Sequence, residues 1–190
     1  MGWGEDIALN PNPRNVAKLN FHYQKAWISR SNIVDLYKTG LNEIRRAQCD
    51  VISLDLDGND YYFVEMLLSA GALPKLFIVE YNAKFMPPIR FKIDYDESHR
   101  WMSDDYFGAS LCSYVDLFKM HDYSLVCCSL SGANAFFVRN EHMDLFADVP
   151  KEIEHIYSAA KYFLIGLDFA GHPTSLKTVE NMFGAVNSGE

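Results

Sequence analysis

Basic residues are scarce in this 190-residue chain: 17 Lys and Arg stand against 25 Asp and Glu, a formal net charge of -8. That balance argues against a broad nucleic-acid footprint or an anionic-membrane surface, both of which need clustered positive charge. A small local basic site stays open. Cysteine is sparse as well. Cys49, Cys112, Cys127 and Cys128 include no C-x-x-C pair, so zinc-finger spacing and a dithiol redox motif are missing. The four read as small buried hydrophobes in a reducing cytoplasm. No apolar run approaches the ~20 residues of a membrane span. The segment from Met1 to Pro13 lacks the apolar centre of a signal peptide, and no solenoid-length repeat or low-complexity tract occurs. The six histidines, His22, His99, His121, His142, His155 and His172, show no ligand spacing, so no metal site is read from the sequence. These absences lead to the expectation of a cytoplasmic protein with no membrane span and no nucleic-acid partner.

Apolar and aromatic residues, by contrast, are plentiful at 49% and 14% of the chain, enough for one folded domain with a sizeable core. Residues 1–20 read as irregular. FHYQKAWI (21–28) alternates loosely like a short strand. Ser29 or Ser31 then caps a helix expected over 32–47, with Ile33, Leu36, Tyr37, Leu41 and Ile44 at helical spacing. CDVISLDL (49–56) predicts a strand buried on both faces. A helix is expected from Asp60 to a stop at Gly71, and LFIVEY (76–81) predicts a second buried strand. This strand, helix, strand order makes a βαβ unit. Residues 82–107 show no sustained periodicity but hold Phe85, Phe91, Tyr95, Trp101, Tyr106 and Phe107, which favours a packed lid over a floppy linker. Ser110 caps a further helix to about His121. Strands 124–130 and 134–140, joined through Ser131-Gly132-Ala133, predict an antiparallel hairpin. A helix is expected from Pro150 to Phe163, and one more through Phe183. The fold class is α/β, an open sheet that is mostly parallel with a C-terminal antiparallel hairpin. Residues 1–145 form the α/β domain and 146–190 a C-terminal helical extension.

In such sheets ligands bind beyond the carboxyl ends of the strands. Asp55, Asp57, Asn59 and Asp60 follow the first buried strand, and Glu80 and Asn82 end the second. Crowded carboxylates raise each other's pKa unless a cation or donor groups offset them. The arrangement suits general acid/base chemistry, divalent-metal binding, or acceptance of hydroxyl and amine donors. Part of it also has a plainer reading, a turn in which Asp60 is the helix N-cap and Gly58 the left-handed residue. Asp55 and Glu80 fit that reading less well, because a carboxylate in a buried strand needs a partner. Trp27 and Trp101 read as packing groups.

Four segments, taken together, resemble the FkbM-type methyltransferases: AWISRSNI (26–33), VISLDLDGNDYYFVEMLL (51–68), LFIVEYNAKF (76–85) and YFGASLCSYVDLFKMHDYSLVCCSLSGANAFFVRN (106–140). They cover roughly residues 20 to 140, and the Asp-Gly-Asn-Asp-Tyr, Glu-Tyr-Asn and Asn-Ala-Phe-Phe-Val blocks carry most of the likeness. The resemblance implies a Rossmann-like fold in which S-adenosylmethionine donates a methyl group to a hydroxyl of a sugar or other small molecule. It implies catalytic roles for Asp55, Asp57 and Glu80, acceptor contacts from Asn59, Asp60, Tyr81, Asn82 and Ser110, and closure of the 82–107 loop over the acceptor. The likeness begins at about the family's third strand. A glycine-rich cofactor turn after a strand is not found, since Gly2 and Gly4 follow none. The resemblance therefore implies a fold lacking its first strands. Such a chain would be a truncated or inactive enzyme, one completed by a partner or a second copy, or a binding module on the same scaffold. Asp-x-Asp-Gly at a strand end also resembles the haloacid-dehalogenase phosphatases, with Asp55 as nucleophile and Asp57 as acid/base. That family expects Thr or Val where Asn59 stands, and a later acidic pair at a strand end, whereas Asp104-Asp105 lies in the irregular loop.

Overall fold

A computed structural model describes residues 23–162 and 172–184. The apolar segments with β-branched and aromatic side chains form four strands: β1 (Val51–Leu54), β2 (Leu76–Glu80), β3 (Tyr123–Cys128) and β4 (Asn134–Arg139). They make one open sheet in the order β1-β2-β4-β3. β1 pairs parallel with β2, while β4 is antiparallel to both β2 and β3. Three strands therefore point one way, and the second arm of the hairpin folds back between two of them. The result is a mixed α/β sheet whose single reversed strand is central.

The helices are α1 (Ile33–Glu43), α2 (Asp60–Ser69), α3 (Leu111–Lys119), a 3-10 segment (Asn140–Phe146), α4 (Ile153–Ile156) and α5 (Leu176–Phe183). Ser110 caps α3 by accepting the Ser113 N–H, and Ser175 caps α5 by accepting the Thr178 N–H. Gly71 ends α2 in the left-handed region at φ 82°, where glycine meets no Cβ penalty. Phe77, Val79 and Phe137 from the sheet, Phe63, Val64 and Leu67 from α2, and Leu111, Tyr114 and Phe118 from α3 share one buried core. Phe118 stacks on Phe137 with ring centroids 4.0 Å apart. Burying each such side chain contributes roughly 1.5–3 kcal/mol.

The 82–107 segment packs as a unit. Phe85, Phe91, Ile93 and Tyr106 form a second small core, with Phe85 stacked on Phe91 at 3.9 Å.

Several expectations are corrected. Residues 23–28 form no strand; no sheet neighbour is available to their backbone among the described residues, and Trp27 instead donates to the Glu97 carbonyl. Residues 21 and 22 lie outside the described residues. α1 ends at Glu43 rather than at 47, and Arg45 turns left-handed at φ 55°. Its N-cap is Asn32, whose side chain bonds back to the Ser29 N–H. β1 is short and is not buried on both faces: Val51 is 49% exposed, because β1 is the sheet's edge among the described residues. The helix expected over 150–163 shrinks to α4. Past it the chain turns extended at Tyr157, where tertiary bonds replace helical ones. Tyr157 donates to the Ala83 carbonyl, Ser158 accepts from the Tyr81 hydroxyl, and Lys161 N–H donates to Ser131. Phe163 lies outside the described residues. The described part of the C-terminal segment is therefore bound to the sheet and to the 82–107 unit.

Candidate functional site

Register builds the site. β1 and β2 pair with Leu54 opposite Val79, so the next residues of the two strands, Asp55 and Glu80, come out side by side at the carboxyl end of the sheet. Asp57 joins them from the following turn. One carboxylate oxygen from each of the three lies within 4.8 Å of the others, a spacing a divalent cation could bridge with oxygen ligands.

The turn that aims Asp57 is held by Asp60. Its wholly buried carboxylate accepts the N–H groups of Leu56 at 2.9 Å and Gly58 at 3.0 Å. Asp60 is thus the first residue of α2 reaching backward, and the N-cap position belongs to Asn59, which makes no side-chain cap bond. The left-handed residue is Asp57 at φ 53°, not Gly58. Gly58 is needed for a different reason: a Cβ there would stand 2.7 Å from Cδ2 of His99.

Asn59 and Asn82 pin the aromatic loop over the strand ends. Asn59 donates to the Asp96 carbonyl at 2.8 Å. Asn82, buried in the interior, donates to the carbonyls of Asp105 at 2.8 Å and Phe107 at 3.2 Å. Ser110 Oγ accepts the Phe91 N–H in addition to capping α3. Tyr81 is buried and donates to Ser158. Asn59, Asp60, Tyr81, Asn82 and Ser110 are therefore engaged in holding backbone, while Asp55, Asp57 and Glu80 line an open cavity of about 480 Å³.

The same cavity is lined by Trp101, Ala133, Tyr162 and His172, none of which the sequence assigns to the site. Trp101 comes from the loop and donates its ring N–H to the Asp104 carbonyl. His172 stacks on Tyr162 with centroids 5.0 Å apart and meets the Trp101 ring edge-on at 4.8 Å. Tyr162 and His172 come from the segment beyond the hairpin, far along the chain from the carboxylates. The aromatic content of the loop was the only signal in the sequence for any of the four.

Burial, with Asp55, Asp60 and Asp57 adding like charge, pushes Glu80 up to about 9, against the pull of an Asp57 backbone N–H. Oε2 of Glu80 is buried with no hydrogen-bond partner among the described residues. Burial raises Asp55 and Asp57 more modestly, Asp55 adding repulsion to Asp57. It lifts Asp60 to about 6 against its backbone donors. Burial lowers His172, which favours its neutral ring. Beneath the rim, the fully buried Tyr114 hydroxyl has no hydrogen-bond partner among the described residues and lies in the field of Asp60 and Glu80. Near pH 7 Glu80 therefore holds its proton and can donate, beside two aspartates whose carboxyls burial also pushes upward.

Fold and site define an α/β protein with an acidic, aromatic-walled cavity at the carboxyl ends of two parallel strands. No family model matches the chain, and no curated protein or solved structure matches it.

Proposed function

We propose that this chain is a methyltransferase-like protein whose strand-end cavity holds a hydroxyl-bearing small molecule, a sugar or similar compound, for O-methylation. The observation that carries the reading is the convergence of Asp55, Asp57 and Glu80 on one cavity. Ionised Asp55 or Asp57 would accept the proton of an acceptor hydroxyl, and protonated Glu80 would donate to a second oxygen and fix the orientation. The aromatic walls would limit water. S-adenosylmethionine would supply the electrophilic methyl group. Among the described residues no glycine-rich turn at a strand end offers it a binding loop, so the residues present fit the acceptor and not the cofactor. Further support comes from the segments of the family resemblance, which fall in order on β1, α2, β2 and the α3–β4 run.

The second reading is a non-catalytic binding module on the same scaffold. It is favoured by the engagement of Asn59, Asp60, Tyr81, Asn82 and Ser110 in backbone support. Isothermal titration of the chain with S-adenosylmethionine and its demethylated product, followed by methyl-transfer assays on hydroxylated acceptors, separates the two. Measurable cofactor binding with methyl transfer lost in Asp55→Asn supports the enzyme; no binding at millimolar cofactor refutes it. Magnesium-dependent phosphate release abolished by Asp55→Asn would instead indicate a phosphatase.

A further inference from the structure

From the make-up of its two walls, we infer that the cavity selects an organic cation, so that the small molecule it takes is an amino alcohol or amino sugar carrying an ammonium group. The inference rests on the proposed acceptor site and names the class of its occupant.

One wall is anionic and unsatisfied. Asp55 and Asp57 have no ion-pair or hydrogen-bond partner for their side chains among the described residues, and the buried Oε2 of Glu80 has none either. No Lys or Arg is among the described residues that line the cavity. The nearby cation, Lys84, is held by Asp105 at 2.7 Å and by Thr174. His172, which does line the cavity, is kept toward its neutral form by burial. Two carboxylates facing one cavity repel each other, and a positive group arriving between them removes that repulsion.

The other wall is aromatic. Trp101, Tyr162 and His172 line it and pack on one another. The electron-rich faces of such rings attract an alkylammonium group and its adjoining CH groups. A hard divalent ion would fill its shell with the carboxylates and waters and would make no use of the ring faces of this wall. An ammonium group on a small carbon skeleton uses both walls at once: its positive charge, with N–H donors where it carries them, faces Asp55, Asp57 and the Glu80 carboxyl, and its apolar part lies against the rings. The cavity, about 480 Å³, is of a size for one monosaccharide-scale molecule.

The test uses matched probes on the full chain at pH 7 and low salt. Choline is compared with 3,3-dimethyl-1-butanol, its neutral carbon counterpart, and glucosamine with glucose, each followed by titration calorimetry and by Trp fluorescence. The charged member of each pair is expected to bind about tenfold or more tightly, as one charge contact plus one ring contact would give. Asp55→Asn is expected to remove most of that preference. Trp101→Leu should weaken choline more than glucosamine. Circular dichroism confirms that each variant is folded. Equal affinity for charged and neutral members overturns the inference, as does magnesium or calcium binding that the ammonium probes do not displace. If a neutral sugar is methylated as readily as an amino sugar, this inference fails while the methyltransferase reading stands. If amines bind and S-adenosylmethionine does not, the inference stands and that reading fails.

Discussion

Replacing Glu80 with glutamine should stabilise the protein near neutral pH and flatten its pH dependence. Glu80 has an ordinary value of 4.5 and is pushed up to about 9 by burial and by the surrounding aspartates. Between those values the folded chain holds a proton that the unfolded chain has released. The stability associated with Glu80 is therefore fully present below about 4.5 and is lost as pH rises toward 9. One proton corresponds to about 1.4 kcal/mol per pH unit, so a rise from pH 5.5 to 7.5 removes about 2.7 kcal/mol through this group alone. Glutamine keeps the shape and a donor but has no proton to lose. The other raised carboxylates, Asp55, Asp57 and Asp60, act in the same direction over a lower range. His99 and His172, both lowered, act in the opposite direction, since the unfolded chain then binds the extra proton. All five are common to both proteins and drop out of the difference. Urea unfolding at half-unit steps from pH 5 to 9, with m-values checked for constancy, gives that difference directly. The gap between Glu80→Gln and the parent should widen by about 2–3 kcal/mol from pH 5.5 to 7.5. Parallel profiles would show that Glu80 is ionised in the folded state, and the proposed donor role would fall with it.

Three further substitutions test the frame around the rim. Gly58→Ala places a methyl 2.7 Å from the His99 ring; the resulting overpacking should cost about 1–3 kcal/mol in urea unfolding and alter the near-UV signal of Trp101. Asn82→Ala removes the donors to the Asp105 and Phe107 carbonyls, and leaving buried acceptors unpaired should cost about 2–3 kcal/mol. Asp57→Gly relieves a left-handed backbone but adds unfolded-state freedom, so stability should move by less than about 1 kcal/mol while ammonium-probe affinity falls. A loss of stability well beyond that would mean the Asp57 side chain holds the turn.

The part of the fold legible in the sequence is the part set by local signals. The hydrophobic run of β2, the Gly71 stop and the Ser110 cap each act within a few residues, and all three stand as read. Asp55 and Glu80 could be placed together because two parallel strands joined by one helix become neighbours, and their polar ends then meet. The segments that misled are those whose conformation depends on what they touch. Residues 150–163 carry an apolar helical pattern, yet Ile153, Ile156, Tyr157 and Ala160 meet the core from a mostly non-helical chain, because hydrogen bonds to Ala83, Tyr81 and Ser131 outweigh helical ones. The aromatic wall was hidden for the same reason. His172 and Tyr162 approach the carboxylates only through folding, and their sequence separation leaves no spacing to read.

The division among the acidic and amide residues of the rim also bears on what the site is for. Asp60, Asn59 and Asn82 have their polar atoms bonded to backbone at 2.8–3.0 Å, and removing any of them would loosen the turn or the loop. Asp55 and Asp57 support nothing of that kind. Asp57 even occupies a left-handed conformation where glycine would sit without a Cβ penalty. A turn selected for stability alone has no use for two mutually repelling carboxylates and a buried, unpartnered third beside them. Strain and unsatisfied charge gathered at one cavity, on a turn and loop held by the hydrogen bonds of Asp60, Asn59 and Asn82, is the pattern of a site shaped for a ligand that supplies the missing positive charge.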